Sequence, residues 1–172
     1  MNKKTIFFNF ILVVFFIFGF SLSQGRDSKE KALNYQIGDK IENLQFEFLE
    51  NGKMVKMEDL KGKKVFLNFT ATWCPDSLRE KAQMEEDYEK LKSMDNIKFI
   101  IIFGPYGSDT KEKVIEYMKE HNYKVPVYYD TNKTMAKTFG LKNYPTSFLI
   151  DENGVVEDIN VESGYRNMKY FK

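Results

Sequence analysis

Asn68-Phe69-Thr70-Ala71-Thr72-Trp73-Cys74-Pro75-Asp76-Ser77 is the stretch on which the fold of this chain turns. It grows out of Val65–Phe69, a short apolar run of strand formers such as a strand covered on both faces requires. It ends at Pro75, placed where a helix can begin because the missing N–H is one of the unpaired donors of a first turn anyway. Helix formers follow from Leu78 to Lys92, with Leu78, Ala82, Tyr88 and Leu91 expected on the inward face. Cys74 therefore sits at a strand-to-helix corner. A sulfur there meets the unpaired N–H groups and dipole of a helix N-terminus, which favour the thiolate, the reactive form. A lone thiol is most often a buried structural cysteine. The corner speaks against that reading, because open α/β sheets bind ligands at the carboxyl ends of their strands.

The remaining arithmetic narrows the class. The 172 residues suit one domain of ordinary size. With 26 Lys+Arg against 25 Asp+Glu, the chain lacks the basic excess that a nucleic-acid surface wants. One cysteine excludes an internal disulfide and any multi-cysteine zinc or iron–sulfur site. One histidine, His121, excludes a His-rich metal centre, and its place at the end of a charged helix reads as solvent-exposed rather than as a catalytic base.

Working outward, Leu44–Leu49 and Lys53–Met57 flank the Glu50-Asn51-Gly52 turn and read as a hairpin. Ile97–Phe103 is a second buried strand, ended by Gly104-Pro105, and Ser108 or Asp109 is placed to cap a helix over Lys111–His121. Val125–Tyr129 reads as a third strand and Thr131–Phe139 as a short helix stopped by Gly140. Thr146–Ile150 and Val155–Asn160, around Asp151-Glu152-Asn153-Gly154, form a closing hairpin. Strands alternating with helices predict an α/β sheet flanked by helices on both faces.

The N-terminus has a different character. Two lysines within Met1–Lys4 precede the almost wholly apolar Thr5–Phe20, where seven of the 16 phenylalanines lie in residues 7–20, and then Ser21-Leu22-Ser23. That order reads as a secretory signal peptide over residues 1–23, cleaved after Ser23, or as a short membrane anchor. The apolar run is shorter than the roughly 20 residues a bilayer-spanning helix needs. Residues 24–35 are polar and read as a tether to a domain over residues 36–172. Either reading places the domain outside the cytoplasm, where structural disulfides are common; a single cysteine there is not a staple.

The Asn68–Ser77 segment, preceded by Leu60-Lys61-Gly62-Lys63, closely resembles the active-site segment of thioredoxin-like proteins of the TlpA/ResA type. Tyr144-Pro145-Thr146-Ser147-Phe148-Leu149-Ile150-Asp151-Glu152-Asn153-Gly154 resembles that family's cis-proline loop and closing hairpin. The resemblance runs from about Tyr35 to Gly164 and implies a thioredoxin-like fold with an N-terminal hairpin and an extra strand–helix insertion. It implies that Cys74 is the attacking thiol, that Pro145 is cis and lies against it, and that the backbone of Tyr144, with Thr146 beside it, pairs with an extended partner segment. It places Trp73, Pro75 and Asp76 around the sulfur and Glu80 near the site, to tune the thiol or shuttle its proton; otherwise Glu80 is an ordinary solvated helix charge. Asn68 stands where cytoplasmic thioredoxins carry a buried acid.

The departures matter as much. Ser77 stands where a C-x-x-C motif has its second cysteine. A serine cannot expel a mixed disulfide, though its hydroxyl can hydrogen-bond a Cys74 thiolate; Asp76 opposes that thiolate with its charge. Ala82 replaces a proline usual a few residues into the helix, and after Gly164 a terminal helix has only Tyr165, Met168 and Phe171 to pack with. Peroxide reduction on a related fold is disfavoured, because Ala71 and Leu67 stand where peroxiredoxins carry Thr or Ser and Pro. The expected function is that of an extracytoplasmic monothiol oxidoreductase acting on disulfide-bearing proteins or small thiols. It needs no cofactor or metal, and a second thiol donor or a membrane electron carrier completes each cycle. The alternative is a thioredoxin-like binding module that keeps the proline groove and has lost turnover.

Overall fold

The computed structural model describes residues 33–161. The expected signal segment, most of the expected tether and the C-terminal residues Tyr165, Met168 and Phe171 lie outside them. Seven strands form one mixed sheet: β1 (Gln45–Phe48), β2 (Met54–Lys56), β3 (Lys64–Phe69), β4 (Ile97–Phe103), β5 (Val127–Tyr129), β6 (Thr146–Ile150) and β7 (Val156–Val161). Their order is β2-β1-β5-β4-β3-β6-β7. β3, β4 and β5 run parallel at the centre, and Phe66 pairs with Phe99 and Asn68 with Ile101. The two predicted hairpins close the edges antiparallel, β1 on β5 and β6 on β3.

Among the described residues three α-helices complete the layers: α1 (Pro75–Leu91), α2 (Lys111–Glu120) and α3 (Thr134–Phe139). Alternation along β3 and β4 sends Leu67, Phe69, Ile100 and Ile102 to one face of the sheet and Phe66, Phe99, Ile101 and Phe103 to the other. The first set packs with Met135, Ala136 and Phe139 of α3, the second with Met84 of α1 and Val114 of α2. Phe139 is wholly buried, its ring within 4.8 to 5.0 Å of those of Tyr35, Phe69 and Phe148. At the end of the expected tether, the Asn34 N–H donates to Phe139 O at 3.0 Å.

Three local expectations are corrected. Ser108 and Asp109 do not cap α2; Thr110 does, its Oγ1 accepting from the Lys113 N–H at 3.2 Å. Asp109 is buried and turned elsewhere. The helix expected from Thr131 begins at Thr134, because Lys133 takes a left-handed φ of 55° that a helix cannot continue through. The inward face of α1 is also different: Leu78 is 45% exposed and Ala82 exposed, while Ser77, Glu80, Met84 and Asp87 are buried, with Tyr88 and Leu91 packed at the rim. The helix presents a polar first turn to the sheet, so an apolar-stripe reading puts its face wrong.

Candidate active site

The corner between β3 and α1 is built as the sequence suggests. Cys74 is the N-cap residue of α1, with extended backbone (φ −88°, ψ 117°), and Pro75 opens the helix. Its side chain does not cap that helix. The thiol is nearly buried, at 6% exposure, and donates to the carbonyl oxygen of Tyr144 at 3.1 Å. The Tyr144–Pro145 peptide bond is cis, and Pro145 and Thr146 are buried beside it. The Thr146 hydroxyl donates to Asn143 O at 2.8 Å, tying off the loop. Cys74 and Tyr144, 70 residues apart in sequence, meet through this sulfur–oxygen contact.

The residues around the sulfur fall into place unevenly. Trp73 is half exposed, and its indole N–H donates to Tyr106 O at 2.9 Å. Asp76 is ion-paired with Arg79 one turn on, which offsets the negative charge it brings to the first turn. Ser77 does not donate to Cys74: its hydroxyl is buried and has no hydrogen-bond partner. Glu80 is 8% exposed, so it is not the solvated helix charge that was the other reading of it. Its charge is one of those that, behind burial, hold the Tyr123 phenol above its ordinary range. His121 is exposed and lies against the Tyr117 ring, 4.3 Å between centroids. Among the described residues no group of three or more His, Cys, Asp or Glu is gathered to hold a metal ion.

Three residues that the sequence reading missed frame the site, all of them in the turns that follow β4 and β5. Asp109 accepts from both the backbone N–H (2.9 Å) and the hydroxyl of Thr72, two residues before the sulfur. Tyr106 is buried, and its ring stacks on Tyr144 at 4.5 Å and 19°. Its hydroxyl donates to Asp130 Oδ2 at 3.1 Å. The Asp130 carboxylate also accepts from the N–H groups of Met135 (3.1 Å) and Ala136 (2.9 Å), so it caps α3 from three residues before the N-cap position. Burial, together with the Asp130 charge, pushes the Tyr144 phenol up to about 12 and Tyr106 well above its ordinary value. Gly104 and Gly107 make room for this arrangement: a Cβ on the first would lie 2.6 Å from the Tyr106 ring, and on the second 2.9 Å from the Trp73 indole nitrogen. An acid directly before the helix expected from Thr131 is the one signal in the sequence that could have exposed Asp130.

Comparison with known proteins agrees with this geometry. The Redoxin family model matches residues 36–170. The chain is 36% identical over 165 residues to the thiol-disulfide oxidoreductase ResA of Bacillus cereus, covering 94% of this chain and 91% of that protein. Among solved structures it is similar to StoA of Bacillus subtilis (TM-score 0.64, 22% identity, 74% of this chain and 92% of that one). It is also similar to a thiol:disulfide interchange protein of the thioredoxin family from Chlorobium tepidum (TM-score 0.64, 24% identity, 79% and 93%). These last two likenesses speak for the fold alone. A cysteine at the mouth of a central strand, a cis proline against it and this length-spanning relationship together place the chain in the redoxin family, among the ResA-type thiol–disulfide oxidoreductases.

Proposed function

We propose that the protein is an extracytoplasmic monothiol oxidoreductase in which Cys74 attacks disulfides of proteins or small thiols. The observation that carries this is the contact between the Cys74 sulfur and Tyr144 O at the cis proline, in a chain with no other cysteine. The thiolate attacks one sulfur of a partner disulfide; the Cys74–partner S–S bond forms as the partner's own S–S bond breaks, and the leaving sulfur takes the electron pair. A second thiol then attacks the mixed disulfide and restores Cys74. A sulfur that has lost its proton no longer donates to Tyr144 O, so that carbonyl is released for the N–H of an extended partner segment. In this reading the buried Ser77 hydroxyl, which has no partner, donates to the sulfur anion, and Glu80, one turn further along the same buried face, relays the proton. The apolar N-terminal segment supports export, with a small thiol, a thiol protein or a membrane electron carrier as the resolving partner.

The serine at position 77 also favours a second reading, a binding module that uses the groove without turnover. Trapping with alkylator and non-reducing gels of the native envelope separates the two. Disulfide-linked partners should appear with wild type and vanish in Cys74→Ala. If partner binding is undiminished in Cys74→Ala and no covalent species form with wild type, the thiol is dispensable and the oxidoreductase reading falls.

A further inference from the structure

Tyr106 stands apart from the machinery above. It contacts no expected substrate atom, yet it touches both halves of the site. Its carbonyl accepts the Trp73 indole N–H, and its ring stacks on Tyr144. Trp73 adjoins Cys74 in the chain, and Tyr144 O accepts the Cys74 thiol. The contacts form a closed circuit from sulfur to carbonyl, ring to ring, carbonyl to indole, and back along the backbone to the sulfur. Trp73 and Tyr144 also meet edge to face, with centroids 6.3 Å apart at 83°. Tyr106 is held in its own seat from behind, by the bond to buried Asp130 and by its fold back over Gly104.

We propose that Tyr106 is a positioning residue that sets the Tyr144 backbone edge against the sulfur, and so gives the site its preference for extended peptide disulfides over small ones. A small disulfide needs only an accessible Cys74. A peptide disulfide needs the Tyr144 carbonyl and the sulfur in fixed register, because the incoming chain must pair with one while its own sulfur meets the other. Tyr144 is only half buried. The stacked Tyr106 ring is the rigid surface against which it settles. The Trp73–Tyr144 pair beside the sulfur then offers an aromatic wall suited to an apolar or aromatic side chain flanking the partner's cystine.

This inference rests on the reading of Cys74 as nucleophile and of the Tyr144 edge as the peptide seat, and the test separates the two. The probes are an unstructured peptide whose single cysteine is activated as a nitrothiobenzoate disulfide and the same activated disulfide on N-acetylcysteine amide. In each reaction Cys74 joins the cysteine sulfur and the aryl thiolate leaves with the electron pair, giving a coloured product. The wild type should react at least tenfold faster with the peptide than with the amide. Tyr106→Leu should bring that ratio within threefold while leaving the amide rate within twofold, and Tyr106→Phe, which keeps the ring, should retain it. Gly104→Ala, which forces the Tyr106 ring from its place, should lose the ratio as Tyr106→Leu does and serves if the leucine variant does not fold. An unchanged ratio in the displaced variants, an equal fall in both rates, or a Tyr106→Phe as deficient as the leucine variant would overturn the role of the ring. A wild type that shows no peptide preference would instead overturn the reading of the Tyr144 edge beneath it.

Discussion

Replacement of Asp130 by alanine tests the framework from its most buried point. The carboxylate is 3% exposed and receives three donors, the Tyr106 hydroxyl at 3.1 Å and the Met135 and Ala136 N–H groups at 3.1 and 2.9 Å. Lys133, at the N-cap position of α3, offers no side-chain cap. Losing the cap costs about 1 kcal/mol, and leaving a buried phenol hydroxyl unpaired costs about 1–3 kcal/mol more, so about 3 kcal/mol is expected in all. For a domain of ~130 residues the unfolding entropy near Tm is about 270 cal/mol/K, which converts that loss into a fall of about 11 °C. Asp130→Asn keeps one acceptor oxygen and should fall roughly halfway between wild type and alanine. Thermal unfolding followed by circular dichroism, with urea titration at 25 °C as a second measure, reads both variants. A drop in the alanine variant under about 3 °C, or about 1 kcal/mol, would refute the assignment of Asp130 as a three-donor hub.

Other perturbations probe other layers. Tyr106→Phe should flatten the loss of stability in alkali. The folded phenol is held above the unfolded value near 10, so its contribution is complete below pH 10 and declines as the unfolded state ionises above it; the variant should lose a slope of up to about 1.4 kcal/mol per pH unit, and an unchanged slope would contradict the buried setting. Phe139→Ala removes a wholly buried ring from a cluster of three others and should cost about 3–5 kcal/mol in urea unfolding. Ser77→Cys should form an internal disulfide with Cys74 on mild oxidation and confer dithiol reductase turnover, read by insulin reduction; a variant that stays fully reduced under oxidant would show that the N-cap and third helical positions do not face each other.

How far the sequence carried the reading depends on the range of the interaction. The β3 run, Pro75 at the head of α1 and the Asp151–Gly154 hairpin are local patterns, and each appears where expected. The pairing of Cys74 with Tyr144 came through family resemblance, since nothing in the spacing of residues 74 and 144 places them together. Asp109 shows where local rules lose. Beside a helix start it has the type and place of a cap, but Thr72, 37 residues away, supplies two donors to its carboxylate and Thr110 caps the helix instead. Leu78 shows the same limit for periodicity: a polar residue buried at an active-site corner has no signature in a pattern that counts apolar positions. Tyr106 and Asp130 sit in turns, where the chain carries no period at all.

The lone cysteine also decides what kind of redox element this chain is. With Ser77 in place of a second thiol it has no internal dithiol–disulfide couple, and therefore stores no electron pair of its own between encounters. A neighbouring thiol on the same helix would act at the high effective concentration of an intramolecular group, whatever the surroundings. In the cycle proposed above, release is instead bimolecular. In that cycle the lifetime of each covalent complex is inversely proportional to the free thiol in the compartment, which would make the occupancy of Cys74 a report of the local thiol supply.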